Sequence, residues 1–271
     1  MTAAPTITFL SDYGLSDDFV GVCHAVIARI CPQARVIDLT HGIPRHSVRA
    51  GALVLEATLP YLPVGVHLAV VDPGVGGDRR AVALATADGR RLVGPDNGLL
   101  SLAADEAGGV VEAVDIGRSR FALQPISFTF HGRDIFAPVA AGLAAGAPLA
   151  DAGRPCDPDT LVRLELPRAR RGDDGVLIAH AVYVDQFGNV ALNVGREDLS
   201  GSGGVGDRVE LVLGSGAARP ARLVTTFADV GPGELLVYED SYRRLAVAVN
   251  GGDAAARLDL GEDDEVRIRL L

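Results

Sequence analysis

The stretch Leu68–Leu84, LAVVDPGVGGDRRAVAL, carries an apolar run into an aspartate, turns through Pro-Gly and further glycines, and passes two arginines into a second apolar run. A continuous aliphatic run bounded by turn residues reads as a strand buried on both faces, the kind found in a sheet covered by helices. Its neighbours agree. Upstream, TITFL (6–10) is a short strand ending at Ser11-Asp12, and DDFVGVCHAVIARICP (17–32) has helical spacing with Pro32 past its end. ARVIDLTHGI (34–43) is the next strand, and VRAGALVLEATLPYLP (48–63) a second helix stopped by Pro60 and Pro63. Downstream, AVALATADGRRLVGPDNGLL (81–100) predicts two strands around an Asp-Gly turn and then a loop, and IFAPVAAGLAAG (135–146) a third helix. Strands alternating with helices predict an α/β N-terminal domain with a largely parallel sheet.

Between residues 152 and 175 the character changes to crowded proline, arginine and aspartate, as in a linker. Beyond it come short β-type runs: VLIAHAVYVD (176–185), RVELVLG (208–214), ARLVTTFADV (221–230), ELLVYED (234–240), LAVAVN (245–250) and EVRIRLL (265–271). This predicts a small all-β barrel C-terminal domain. The chain therefore splits around residues 160–175, into 1–165 and 172–271. No internal repeat is evident, and GSGGVGD (201–207) is the one glycine-rich patch.

Composition narrows the function. The 271 residues include 48% hydrophobic and 22% charged, which suits a folded globular chain. A formal net charge of −10 argues against nucleic-acid or anionic-membrane partners. Three cysteines without CxxC spacing suggest buried thiols rather than a disulfide framework or structural zinc, which fits a reducing cytoplasm. The start of the chain lacks a basic segment and runs straight into a strand, unlike a signal peptide. No apolar stretch reaches the ~20 residues of a membrane span.

Three strand ends carry polar residues that plain turns do not need: Asp12, Asp17 and Asp18 in SDYGLSDD; Asp72 and Arg79 around VDPGVGGDR; and His131, Arg133 and Asp134 in SFTFHGRDIFAP. Ligands of open α/β sheets bind beyond the carboxyl ends of strands. A fourth motif, VDQFGNVALN, places Asp185, Phe187, Asn189 and Asn193 at the start of the second domain. Each has a plainer reading when taken singly. Asp12 fits a helix cap, Asp72 turn chemistry, His131 a satisfied polar residue, and Phe187 a core position. Their joint occurrence at strand ends favours a site.

Together VVDPGVG..R, PDNGLL, TFHGRDIFAP and D.FGN...N, in that order, resemble the S-adenosyl-L-methionine (SAM) hydroxide adenosyltransferases, SAM hydrolases related to fluorinating and chlorinating enzymes. The likeness runs from SDYG to YEDSY....VN, most of the chain. It implies attack of a water-derived nucleophile on the 5′ carbon, with release of adenosine and L-methionine. It also implies an α/β domain plus a small β-barrel, and a homotrimer with sites at subunit boundaries. By the same resemblance Asp72, Arg79 and His131 form the catalytic set and Asp12 binds the ribose. Asp17, Val75, Asn97, Phe130 and Gly132 contact the substrate. Asp185 and Ser241 hold the methionine, Phe187, Asn189 and Phe227 contact adenine or the methionine tail, and Asn250-Gly251 face the adenine. SAM is then the substrate, with no cofactor and no metal.

The departures sort the branch. Halogenating relatives carry tyrosine and threonine where this chain has Asp72 and Val75, a serine in place of Gly132, and a loop inserted after the arginine turn. An aspartate would repel halide, so the hydrolase branch is expected. A 5′-halogenating (chlorinase-type) transferase and a non-catalytic SAM- or nucleoside-binding module are the alternatives. A class I methyltransferase needs its glycine loop after the first strand and before a helix, whereas VVDPGVGGD follows the third strand. A nucleoside hydrolase would need a calcium ion held by the SDYGLSDD carboxylates.

Overall fold

A computed structural model describes residues 4–172, 175–199, 204–214 and 216–271. Part of the glycine-rich patch (Gly201–Gly203), the linker residues Asp173 and Asp174, and Met1–Ala3 lie outside the described residues. The chain divides into two compact units, 1–164 and 165–271.

The first unit is built on a seven-stranded sheet. Its elements are β1 (Thr6–Ser11), α1 (Phe19–Ile30), β2 (Arg35–Thr40), α2 (Val48–Thr58), β3 (Val66–Val70), β4 (Ala81–Thr86), β5 (Arg91–Pro95), α3 (Ser101–Glu106), β6 (Val110–Asp115), α4 (Ala137–Ala144) and β7 (Arg154–Pro155). The strand order is β2-β1-β3-β5-β4-β6-β7. β2, β1, β3 and β5 pair in parallel, and β4 and β7 run against their neighbours. Five of the seven strands thus share one direction, so the sheet is largely parallel.

Alternation along β1 sends Ile7 and Phe9 to one face and Leu10 to the other. Ile7 and Phe9 share a core with α1 and α4. Leu10 meets α2, where Gly51 lies close against Leu10, Val71 and Leu99. β3 and β4 are buried at every position, and apolar at all but His67 and Thr86, because both faces of the sheet are covered. Pro60 falls in a 3₁₀ turn (Leu59–Tyr61) that ends α2. Three elements of this unit lie outside the sequence reading: α3 and β6, beyond the loop expected after Pro95, and the two-residue β7, in the stretch read as a linker.

The second unit is a barrel of β9 (Leu177–Val184), β10 (Val190–Gly195), β11 (Arg208–Leu213), β12 (Ala218–Leu223), β13 (Leu235–Glu239), β14 (Arg244–Val249) and β15 (Glu265–Leu270). Seven strands close through the β9–β10 pairing, and β8 (Arg170–Arg171) adds to β9. A short helix, α5 (Ala254–Leu258), follows β14, its start capped by Asp253. The strand expected over 221–230 is displaced: β12 ends at Leu223. The residues after it form a 3₁₀ turn, Phe227–Asp229, held by a Thr226/Asp229 capping box, because Asp229 and Thr226 bond locally better than they pair. Cys23 and Cys31 are buried thiols, whereas Cys156 is only half-buried. Among the described residues no helix is long and apolar enough to cross a membrane.

Candidate active site

β1 and β3 are adjacent parallel strands, so Asp12 and Asp72 emerge side by side at the carboxyl edge of the sheet. From Asp72 the chain turns back through PGVGG. Gly76, at φ +77, sits where an added Cβ would collide with the Phe128 carbonyl, so only glycine lets this turn lie against the loop that carries His131. His131 itself leads directly into a π-helical turn, Gly132–Phe136, that continues into α4.

The Asp72–Arg79 turn and His131 meet. Arg79 Nε donates to Asp72 Oδ1 at 2.8 Å, and its Nη2 donates to both Asp72 Oδ2 and His131 Nδ1, the latter at 2.8 Å. Asp72 and Arg79 side chains are 6% and 12% exposed, so the pair is sheltered from water. An arginine can only donate; His131 Nδ1 must therefore accept, and a neutral ring carries its proton on Nε2. Burial lowers the His131 pKa, and the Arg79 charge lowers it further, against opposing effects of Asp72 and Asp134. The lowered pKa favours the neutral ring, which leaves Arg79 as the positive charge of the set.

Asp72 and His131 border a cavity of about 340 Å³ together with Asp12, Tyr13, Asp17, Val75 and Gly132. Asp12 does not cap α1; its Oδ2 accepts the His46 backbone N–H at 2.9 Å. Arg79 and His131 border a second, larger cavity of about 780 Å³ on their far side, lined also by Arg118, Asp115 and Asp151. The set is a wall between the two.

Two residues expected to touch substrate do not line the first cavity. Asn97 spends its amide on the Val71 carbonyl (2.9 Å) and its oxygen on Leu99 N–H, bracing the end of β3. Phe130 packs edge-on against Tyr13 and Phe19 and lies under the Arg133 guanidinium. Arg133 and Asp134 pair with each other, and buried Asp134 also accepts Ser127 N–H at 2.8 Å, which fastens the His131 loop. Tyr13, Phe19, Arg45, His46 and Thr129 line the cavity without having been singled out from sequence. Tyr13 could have been: its hydroxyl lies where a Cβ at Gly132 would be, so the two residues are complementary. Burial, then Cys23, Asp72 and Asp12, raise its pKa well above the ordinary phenol value. Among the described residues, Asp12, Asp17 and Asp18 form no cluster of metal-binding geometry, which removes the calcium-site reading.

Two family models cover the chain: the SAM hydroxide adenosyltransferase N-terminal domain over residues 7–153, and the corresponding C-terminal domain over 179–267. The chain belongs to the SAM hydroxide adenosyltransferase family. It is 53% identical, over 99% of both chains, to a protein of Salinispora tropica named (R)-S-adenosyl-L-methionine hydrolase. A fluorinase of an Actinoplanes species is 31% identical over 93% of each chain. A solved structure of an uncharacterized conserved protein from Thermotoga maritima superposes with a TM-score of 0.88 at 40% identity, covering 97% of this chain and 100% of that one.

In this SAM hydroxide adenosyltransferase the barrel residues gather mainly around one turn. Asp185 holds the turn after β9 by accepting Phe187 N–H, Asn189 N–H and the Asn189 side-chain amide. Gly188 O accepts the N–H groups of Ala254 and Ala255, which joins this turn to the segment carrying Asn250 and Gly251. Asn250 in turn donates to Val230 O, just past Phe227, whose ring packs on Tyr238. Phe187 is 69% exposed, not core. Ser241 stands apart, on the β13–β14 turn at the other end of β14 from Asn250. Asn193 is structural: it donates to Pro167 O and accepts His180 N–H.

Proposed function

We propose that the protein hydrolyses SAM at C5′, giving adenosine and L-methionine. The observation that carries the reading is the hydrogen-bonded Asp72–Arg79–His131 set, two members of which line the same cavity as Asp12. Asp12 presents a carboxylate to the vicinal ribose hydroxyls, and Asp72 and His131 hold a water between an acceptor and a neutral Nε2–H donor. The water oxygen forms a bond to C5′ as the C5′–S bond breaks, and the bonding pair leaves on sulfur. The product thioether is neutral and needs no proton. The water's proton passes to the Asp72 carboxylate, which Arg79 orients through two of its lone pairs.

Charge is cancelled as an oxygen gaining negative character meets a sulfonium-bearing carbon, and a dry wall strengthens that attraction. The step calls for no metal or cofactor.

We further propose that Asp185, Phe187, Asn189, Phe227, Ser241, Asn250 and Gly251 hold the methionine and adenine parts, contributed by a neighbouring subunit of a homotrimer. An aromatic ring as exposed as Phe187 supports such a contact. The compartment proposed is the cytoplasm, in line with three free thiols.

Chromatography of SAM incubated with the protein, with and without chloride and a chelator, tests the reaction. Adenosine and methionine should appear in every arm. Intact SAM, S-adenosylhomocysteine or a chlorinated nucleoside would each refute it. Light scattering on the purified protein should return three chains per particle.

A further inference from the structure

Three side chains outside the site converge on one point: His24 of α1, Asp38 of β2 and His41 just after β2. Their ligand atoms lie within 4.8 Å of one another. His24 Nε2 is 2.9 Å and His41 Nε2 3.0 Å from the same oxygen, Asp38 Oδ1. Bonds of about 2.1 Å to one ion would separate neighbouring donors by roughly 3 Å.

His41 decides between a metal and a simple ion pair. Its side chain is 3% exposed, and its buried Nε2, though 3.0 Å from Asp38 Oδ1, is not aligned for a hydrogen bond to it. His24 Nε2, by contrast, already shares a hydrogen bond with Asp38 Oδ1 at 2.9 Å, and a metal would take the place of that proton. Donors sharing a cation point instead at a place between them. Nδ1 of the same ring lies 2.7 Å from Ser11 Oγ. A hydroxyl on the far nitrogen orients the ring, and a metal on Nε2 would require that hydroxyl to accept Nδ1–H, the arrangement found behind metal-bound histidines. The His24 and Asp38 side chains are 35% and 42% exposed, which leaves an entry path from solvent.

We propose that His24 Nε2, Asp38 Oδ1 and His41 Nε2 form a surface site for a divalent transition metal such as zinc, completed by water. Two imidazoles and one carboxylate suit such ions better than magnesium or calcium, which prefer oxygen. The site would act as a brace. Ser11 precedes Asp12, and the His41 carbonyl accepts Gly14 N–H at 2.7 Å, so a metal there would stiffen the loop that presents Asp12 and Tyr13. The inference is independent of the reaction proposed above, because it is read from metal content without substrate.

Tag-free full-length protein, stripped with a chelator and dialysed against zinc, should retain a single zinc per chain by atomic absorption. His24→Gln and Asp38→Asn should each weaken zinc binding by about 100-fold or more, since even residues behind the ligands cost 10–100-fold. Both positions are solvent-accessible, which avoids the folding risk of changing buried His41; a circular-dichroism melt without zinc checks that both variants fold. Zinc should raise the melting temperature of the wild type and leave that of His24→Gln unchanged. No retained zinc, or equal retention by folded variants, would reduce the trio to an ion pair and overturn the proposal.

Discussion

His131 is held neutral by its surroundings, and those surroundings can be varied in opposite directions. Burial and the Arg79 charge lower its pKa, while Asp72 and Asp134 raise it. Its ring signals in NMR should therefore titrate below the ordinary value of about 6.5. Arg79→Gln should move that midpoint up and Asp72→Asn down. For activity, a lowered pKa keeps the ring neutral further into the acid range, so the acid limb of kcat should lie below that of an ordinary imidazole. Shifts in the same direction for both variants would contradict this electrostatic picture. Tyr13 and Gly132 make a second residue-scale test. A methyl at 132 meets the Tyr13 hydroxyl, so Gly132→Ala should destabilise the fold by about 1–3 kcal/mol in denaturant melts, as overpacking does. In a Tyr13→Phe background, where that oxygen is gone, the loss should shrink; an equal loss in both would show that the two do not touch.

The loop before the π-helical turn shows how an element holds a site. Asp134 is buried, paired to Arg133 and bonded to Ser127 N–H, so one carboxylate ties both ends of the segment that aims His131. Removing it as Asp134→Ala should cost about 2–4 kcal/mol, the range for losing charge-assisted bonds to a buried group, and should lower kcat more than the global stability loss explains. Burial raises its pKa, but Arg133 and Ser127 outweigh that and lower it. Its stabilisation is thus complete above the unfolded carboxyl pKa of about 3.9 and fades as pH falls through the depressed folded value. Acid melts of the variant should lose this dependence; a wild-type-like acid profile would rule out Asp134 as the fastener. Such bracing is also where sequence reading stops. Strand ends are legible because an apolar run must end somewhere, and Asp12 and Asp72 sit at such ends; His131 does not, since the strand expected over 127–130 is loop and the chain has run irregularly from 116. The direction of a side chain past a strand end is not legible, so Asn97 and Phe130 pass for contact residues though they face inward, and Tyr13, Arg45 and Thr129 pass unremarked. α3 and β6 are missed because six residues each, one beside a Gly-Gly pair, leave too little period to read. The His24–Asp38–His41 trio is invisible for a related reason: only β1–β2 pairing and the packing of α1 bring positions 24, 38 and 41 together.

At the scale of the molecule, charge and substrate oppose each other usefully. The chain carries a formal net charge of −10, while SAM carries a sulfonium, an ammonium and a carboxylate and is a net cation. Its products, adenosine and zwitterionic methionine, are neutral overall. Long-range attraction therefore acts on the encounter with substrate and not on the departure of products. The field is screened over about 8 Å at physiological ionic strength and over about 30 Å at 0.01 M. In the reaction proposed above, the bound substrate would meet Asp12 and the sheltered Asp72–Arg79 pair at close range, where salt reaches poorly. Raising ionic strength between these limits should lower kcat/KM several-fold while kcat holds steady, measured as initial rates of adenosine release with a non-halide salt. A kcat that falls in step with kcat/KM would mean that salt disrupts the wall itself. A kcat/KM indifferent to salt would mean that the acidic surface faces away from the approach to the cavity, and steering would have to be abandoned.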